Sequence, residues 1–362
     1  MLAAKIRLMF LGLDISRRDV ATVLAQADGT VLMALRTPLP PQSDSLQAWK
    51  TALETAQETI LRGSVERSRI QGVACALDAA IDANGVVERG MLAEGWHGFD
   101  LPRALREGLG IQAAHAASRV WCQSLAEERF GALRGSSGNW LYLHVGAHLG
   151  AIAHQVNDAS ANATSANATS ANATSANATS ANEWRVNGAT IGATSGSSTR
   201  GELAWGEVCI ERDGALGSSG RRGTLEAYCT HDNFLARAAS YGITVQSATE
   251  VWAQAGSSFA ARSLCDDYVK RLAQGVGIAV SLLQPGRIVV GGSLPDALGE
   301  TLLSPLRATL REFCAPPSDF VLGGTQLAQD GAVWGSVALA MQSFASPSLA
   351  DKGRDKSSTR TL

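Results

Sequence analysis

The stretch Gly201-Glu202-Leu203-Ala204-Trp205, followed by Gly220-Arg221-Arg222-Gly223-Thr224-Leu225-Glu226-Ala227-Tyr228, says more about the fold than any other part of the chain. Two glutamates lie in glycine-flanked stretches, read as tight turns where the backbone approaches a partner closely. Glu202 and Glu226 can serve such turns in two ways, by hydrogen-bonding backbone or by holding a polar ligand. Outward from this stretch, short apolar runs alternate with helical periodicities, the pattern of an α/β protein.

At 362 residues the chain exceeds what one core organises, so two domains are expected. Hydrophobic residues make up 45% of it and charged residues 18%, enough to bury large cores. A net charge of −2 leaves no electrostatic footprint for nucleic acid, and no direct nucleic-acid partner is expected. No apolar run has spanning length, and Lys5 and Arg7 interrupt Met1–Phe10 too early for a signal peptide. A cytoplasmic chain without a membrane partner is the expectation. Cys75, Cys122, Cys209, Cys229, Cys265 and Cys314 lie far apart with no C-x-x-C pair, as thiols of a reducing compartment do.

Strands are predicted at Phe10–Ile15, Asp19–Ala25 and Thr30–Arg36, with Asp28-Gly29 turning the chain between the last two. A helix follows, capped by Ser43 or Ser45, with Leu46, Trp49, Leu53, Ala56 and Ile60 as its apolar stripe. Gly72–Leu77 reads as a buried strand, Leu101–Leu109 as a helix stopped by Gly110, and Ser124–Phe130 as part of another ended by Gly131. The opening pattern then returns: strands at Trp140–Gly146, Ala151–Val156 and Trp184–Val186. A long helix through Leu264, Val269, Leu272, Val276, Ala279 and Leu283 breaks at Pro285-Gly286 before a strand at Arg287–Val290. Helices at Leu298–Phe313 and Ala332–Phe344 close this half.

Residues 160–182 are foreign to the plan, the pentapeptide Ser-Ala-Asn-Ala-Thr written four times and then broken off. Small polar residues without apolar periodicity cannot pack, so an insertion at 158–183 and a tail at 346–362 are predicted to be solvated and disordered. The sequons at Asn162, Asn167, Asn172 and Asn177 are read as products of repeat slippage rather than as glycosylation sites.

The spacing in Gly201–Tyr228 resembles the sugar-gripping segment of the ROK proteins, a family of repressors and sugar kinases on the actin-like ATPase fold. Gly95-Trp96, Phe130-Gly131-Ala132, Ile288-Val289-Val290-Gly291-Gly292 and Gly331-Ala332-Val333-Trp334-Gly335 match in order and spacing, so the resemblance runs from about Phe10 to Phe344. It implies a duplicated, ribonuclease H-like α/β fold of two domains with a cleft between them. The expected division is 1–115 and 116–345, the last helix packing back on the first domain. It also implies sugar contact by Glu202 and Glu226, and nucleotide contact by Asp14, Gly146, Gly150, Gly291 and Gly292. A homodimer is compatible with it.

Several family positions have changed chemistry. Family members bind a structural zinc through one histidine and three cysteines; here those places hold Trp205, Gly217, Ser219 and Thr224, none of them a thiolate or imidazole. No zinc and no other metal site is therefore expected. The phosphate turn D-I-G-G-T-K reads Asp14-Ile15-Ser16-Arg17-Arg18-Asp19, where Ser16 and Arg17 replace glycines; Arg17 and Arg18 make either a solvated turn or an anion grip. The second phosphate motif reads Val145-Gly146-Ala147-His148-Leu149-Gly150, and His144 and His148 are taken as ordinary strand-edge histidines. A gapless count back from Phe130 places Arg119 where the catalytic aspartate stands, and a guanidinium cannot accept a proton. Loss of a general base costs ~10²–10⁴-fold in rate. With the base gone no catalytic residue is assigned, although a shifted alignment would allow Asp78 or Asp82.

What the resemblance then implies is a sugar-kinase-like protein impaired in catalysis, keeping a carbohydrate site and acting as a sensor or regulator. The alternative is an active ATP-dependent hexose or N-acetylhexosamine kinase with a rearranged site, using ATP and magnesium. A DNA-binding repressor is the third reading, and the first sheet starting by Phe10 speaks against a preceding winged helix.

Overall fold

The computed structural model describes residues 8–90, 95–156, 185–186, 189–190, 198–314 and 319–345. The pentapeptide repeat and the 346–362 tail lie outside these residues. The chain divides into two compact units, 1–125 with 332–362, and 126–331.

In the first unit β1 (Met9–Ile15), β2 (Asp19–Gln26) and β3 (Val31–Pro38) form an antiparallel meander. α1 (Ser45–Arg62) leads to β4 (Ile70–Leu77), which returns parallel to β1. A small hairpin, β5 (Ala79–Ile81) and β6 (Val87–Gly90), and α2 (Leu101–Leu109) precede β7 (Ala114–Ser118), parallel to β4. The strand order is β3-β2-β1-β4-β7. β1 and β4 are apolar runs buried on both faces, as strands inside a sheet covered on both sides must be. β7 pairs with β4 across the boundary expected at 115, and the first unit runs on to Leu125 for that reason.

α1 is capped by Asp44, whose carboxylate accepts from the Gln47 amide, and not by Ser43 or Ser45. Its buried face is also shifted: Ala48, Thr51, Ala52, Thr55, Ala56, Thr59 and Ile60 are buried while Leu46 stays 74% exposed. Small residues let the helix lie close to the sheet, and the threonine hydroxyls bond back to the helix carbonyls four residues before them.

In the second unit α3 (Arg119–Phe130), which begins in the first, leads to β8 (Trp140–Val145) and β9 (Leu149–Val156). Among the described residues, β10 (Arg185–Val186) and β11 (Ala189–Thr190) pair only with each other. The third strand of the repeated meander is therefore not Trp184–Val186 but β12 (Ser198–Leu203), antiparallel to β9. Helices α4 (Glu226–Cys229), α5 (His231–Ser240), α6 (Ala248–Gln254) and α7 (Phe259–Leu283) follow. β13 (Arg287–Gly291) lies parallel to β8. Gly299 splits the helix expected over 298–313 into α8 (Ser293–Leu298) and α9 (Glu300–Leu310), before β14 (Val321–Gly324). The order β12-β9-β8-β13-β14 repeats the first sheet strand for strand.

α7 is the centre of the second core, with Leu264, Tyr268, Leu272 and Val276 fully buried and Phe234 and Trp252 packed around the Tyr268 ring. α10 (Gly331–Ala345) completes the first unit: the Ser336 hydroxyl donates to the Leu13 carbonyl of β1 at 2.7 Å, and Phe344 meets Phe10 edge-on. Among the described residues no helix is long and apolar enough to cross a membrane.

Candidate functional site

In open α/β sheets ligands bind beyond the carboxyl ends of the parallel strands. In the first unit those ends are level: Ile15 lies opposite Leu77, and Leu77 opposite Ser118. This register brings Asp14, Asp78 and Arg119 to one edge. Asp14 is fully buried, and Arg119, the first residue of α3, grips it with two hydrogen bonds, Nε to Oδ1 at 3.0 Å and Nη2 to Oδ2 at 3.1 Å. The planar guanidinium fork matches the carboxylate at both oxygens. Burial pushes the Asp14 carboxyl above its ordinary range and Arg119 opposes that push, while the charge of Asp14 is foremost in holding the Arg119 guanidinium up. Asp78, also buried, adds to the negative field on Arg119. Asp82 is committed elsewhere, its carboxylate accepting the Asn84 and Val86 amides at 2.9 and 2.8 Å within the β5–β6 turn.

The β1–β2 turn is filled by its own side chain. Ser16 Oγ accepts the backbone amides of Arg18 and Asp19, both at 3.1 Å, and donates to Asp19 Oδ1 at 2.7 Å. Arg36 bonds the other Asp19 oxygen at 2.8 Å. Burial opposes it, but these bonds from Ser16 and Arg36 hold Asp19 below the usual carboxylate range. Successive amides pointing into a turn are what cradles a phosphate, and here two of them already have an acceptor. With Asp14 gripped by Arg119 as well, this edge does not fit a nucleotide with magnesium.

The corresponding β8–β9 turn carries Gly146 and His148. The Gly146 amide donates to the His148 carbonyl at 3.1 Å, and the His148 ring stacks on His144 with centroids 4.9 Å apart. A side chain at Gly146 would come within 2.8 Å of His144 Nε2, so the imidazole covers the turn. Gly150 is a buried β9 residue opposite His144. Gly291 ends β13 against Thr325 and the Tyr142 hydroxyl. Gly292, with φ of 109°, lies so near β8 that a Cβ there would fall 2.4 Å from the Val145 carbonyl. Asp296 pins the same turn, accepting from the Gly292 amide and the Thr325 hydroxyl. The glycines assigned to nucleotide contact each have a packing partner within the unit.

The 201–228 segment differs from its sequence reading. Glu202 lies within β12, opposite Ile152 and exposed, and not in a turn; Glu226 opens α4. The Ser218 hydroxyl donates to Glu226 Oε1. Trp205 is buried and its indole N–H donates to the Gly275 carbonyl at 2.9 Å. Ser219 bonds Glu207, Thr224 is buried, and Gly217 pairs through its backbone with Arg221. A tryptophan, a glycine and two hydroxyls do not fit zinc. Among the described residues no three His, Cys, Asp or Glu side chains gather as a metal-binding group.

Two further constellations escaped the sequence reading. Glu127, buried on α3, accepts the amides of Ala132, Gln326 and Leu327, which explains the Phe130-Gly131-Ala132 turn. No local signal announces a carboxylate serving a loop two hundred residues away. Glu211, Tyr228, Arg237, Asp267 and Arg271 form a second cluster, of which only the i, i+4 spacing of Asp267 and Arg271 was readable.

The ROK family model matches residues 186–343. A search of curated protein sequences gives no match. Among solved structures, the ROK hexokinase of Thermus thermophilus superposes with a TM-score of 0.69 at 17% identity, covering 94% of this chain and all of its own. A ROK-family transcriptional regulator, homologous to the E. coli MLC protein, gives 0.70 at 17% identity over 93% of this chain and 78% of its own. The ROK-family glucokinase of Streptomyces griseus, solved with glucose and AMPPNP, gives 0.63 at 16% identity over 92% and 99%. Such identities establish the fold, the duplicated actin-like architecture of sugar kinases, and the family model adds sequence kinship. The chain matches the ROK family model over residues 186–343 and shares the fold of ROK kinases and regulators over most of its length.

Proposed function

We propose that this chain is a carbohydrate-binding ROK protein without kinase turnover, acting as a sensor or regulatory protein. The Arg119 fork on Asp14 carries the reading: the residue at the expected base position is a cation, and it consumes the buried carboxylate of the same edge. Ser16 in the β1–β2 turn supports it. Solved ROK structures include both a hexokinase and a transcriptional regulator, so the fold serves either role. Glu202 and Glu226 remain as acceptors for sugar hydroxyls, each charge-assisted bond contributing ~1.5–3 kcal/mol.

The test is ATP-dependent phosphorylation of hexoses and N-acetylhexosamines, read as ADP release, beside thermal-shift screening of the same sugars. Wild type should show no turnover but a sugar-dependent rise in Tm, which Glu202→Ala and Glu226→Ala each reduce. Arg119→Asp alone should not restore turnover, because Ser16 still fills the turn. Elemental analysis should find no stoichiometric zinc. Turnover in wild type, abolished by Asp78→Asn, would establish the alternative, an active kinase with a relocated base.

A further inference from the structure

Between Glu211 and Gly223 the chain makes an excursion closed by backbone bonds from the Ile210 and Glu211 amides to the Gly223 carbonyl, at 2.8 and 3.1 Å. Its sequence is glycine- and serine-rich, and its largest apolar residue, Leu216, is 60% exposed. Such a segment has no core of its own and must be held by something else. The holding group is polar and lies at its base. Glu211 Oε2 accepts from the Tyr228 hydroxyl and from Arg271 Nη1, the latter at 2.8 Å. The same hydroxyl accepts the Ala215 amide at 2.7 Å, so one phenol pins the excursion at two points.

Arg271 is itself fixed. Its guanidinium carbon lies 3.7 Å from the Tyr228 ring centroid, and its Nε bonds Asp267 at 2.7 Å. Arg237 faces the same ring at 5.5 Å and pairs with the same Asp267. Two acids and two bases thus surround one aromatic ring with balanced charge. Tyr228 shares the four-residue helix α4 with Glu226, whose carboxylate takes the Ser218 hydroxyl from the far end of the excursion.

We propose that Glu211, Tyr228 and Arg271 are positioning residues, a clamp that seats the 211–223 excursion so that Ser218 occupies one oxygen of Glu226 and leaves the other to a ligand. A carboxylate half taken in this way suits a neutral polyol, whose hydroxyl needs one acceptor, better than a guanidinium that seeks two. The ligand half of the proposal rests on Glu226 being a sugar contact, as proposed above.

Amide hydrogen exchange of the full-length protein tests the clamp, and calorimetric titration with D-glucose as the probe tests its consequence. Tyr228→Phe keeps the ring beneath Arg271 and removes only the hydroxyl; Glu211→Gln keeps shape and removes charge. Both should speed exchange across residues 213–223 by about tenfold or more while β8 and β9 exchange as in wild type. Arg271→Lys should behave like them, since an ammonium cannot bridge Glu211 and Asp267 as the fork does. Ser218→Ala should leave exchange unchanged. All four variants should weaken glucose binding by about fivefold or more, one charge-assisted contact being disturbed in each. Unchanged exchange in both Tyr228→Phe and Glu211→Gln overturns the clamp. Faster exchange with glucose affinity intact overturns its positioning role. A wild type that takes no glucose, with exchange responding as stated, establishes the clamp and removes the sugar reading of Glu226 instead.

Discussion

The turn after β1 and the turn after β8 hold the same place in two sheets of identical strand order, yet they are closed by unrelated chemistry. In the first, the Ser16 hydroxyl accepts two backbone amides and donates a hydrogen bond to Asp19. In the second, Gly146 is kept, and the His144 ring, itself stacked on His148, covers it. Duplication of the sheet fixes where a turn stands at its edge. What fills the turn is decided by single side chains, independently in each copy. The first turn also borders the ion pair of Asp14 and Arg119.

That asymmetry can be broken experimentally, most forcefully at Arg119. Arg119→Ala leaves Asp14 buried without its partner and should cost ~3–5 kcal/mol in urea or guanidinium unfolding. Asp14→Asn added to it should recover most of the loss. The sign of the pH response is a second check. Burial already raises Asp14, so in the Arg119→Ala protein, protonation of Asp14 should restore stability as pH falls. A neutral Arg119→Ala would show that the pair contributes nothing to the edge.

At the edge of the second sheet the most sensitive position should be Gly292, which follows β13 and packs against Val145 at the end of β8. Gly292→Ala meets both a positive φ of 109° and the Val145 carbonyl 2.4 Å away, and should cost ~3 kcal/mol or more. Gly146→Ala meets only the end of an imidazole that can swing aside, and should cost less. Equal effects would mean that the His144 ring is as fixed as backbone.

Ser16→Ala should have the smallest effect, ~1–2 kcal/mol, because water can reach the freed amides. It also changes the acid limb. Asp19 is held below its ordinary 3.8, so its contribution is present above that value and is lost as pH falls through the lower folded one. Without the Ser16 bond Asp19 returns toward 3.8, and the unfolding midpoint should depend less on pH in acid. An unchanged acid limb would assign the effect to Arg36 alone.

Much of this architecture was legible because both sheets open with apolar runs separated by turn residues. What failed did so for identifiable reasons. β7, Ala-His-Ala-Ala-Ser, has no β-branched residue, and only its pairing with β4 makes it a strand. β12, Ser-Thr-Arg-Gly-Glu-Leu, is polar enough to look like loop, so the third strand of the repeat was sought at Trp184. The α1 stripe was misread because a helix lying close to a sheet buries alanine and threonine and leaves Leu46 outside. At the candidate site, the identity of Arg119 was readable, but its grip on Asp14 joins residues 105 positions apart. The clamp on Tyr228 was equally hidden, since Glu211 and Arg271 meet across 60 positions.

The chain leaves the first unit within α3 and returns to it only after Gly331, so that unit is written in two pieces. Its β1 carbonyl at Leu13 waits for a hydroxyl 323 residues downstream. On a ribosome the sheet of the first unit emerges early and lacks α10 until residues 126–331 have been made, a delay of roughly 10–40 s at ordinary elongation rates. The second unit is continuous and can close during that delay. The part of the protein synthesised first is the last to be finished, and a message truncated just before α10 would yield a complete second unit joined to a first one with an uncovered sheet.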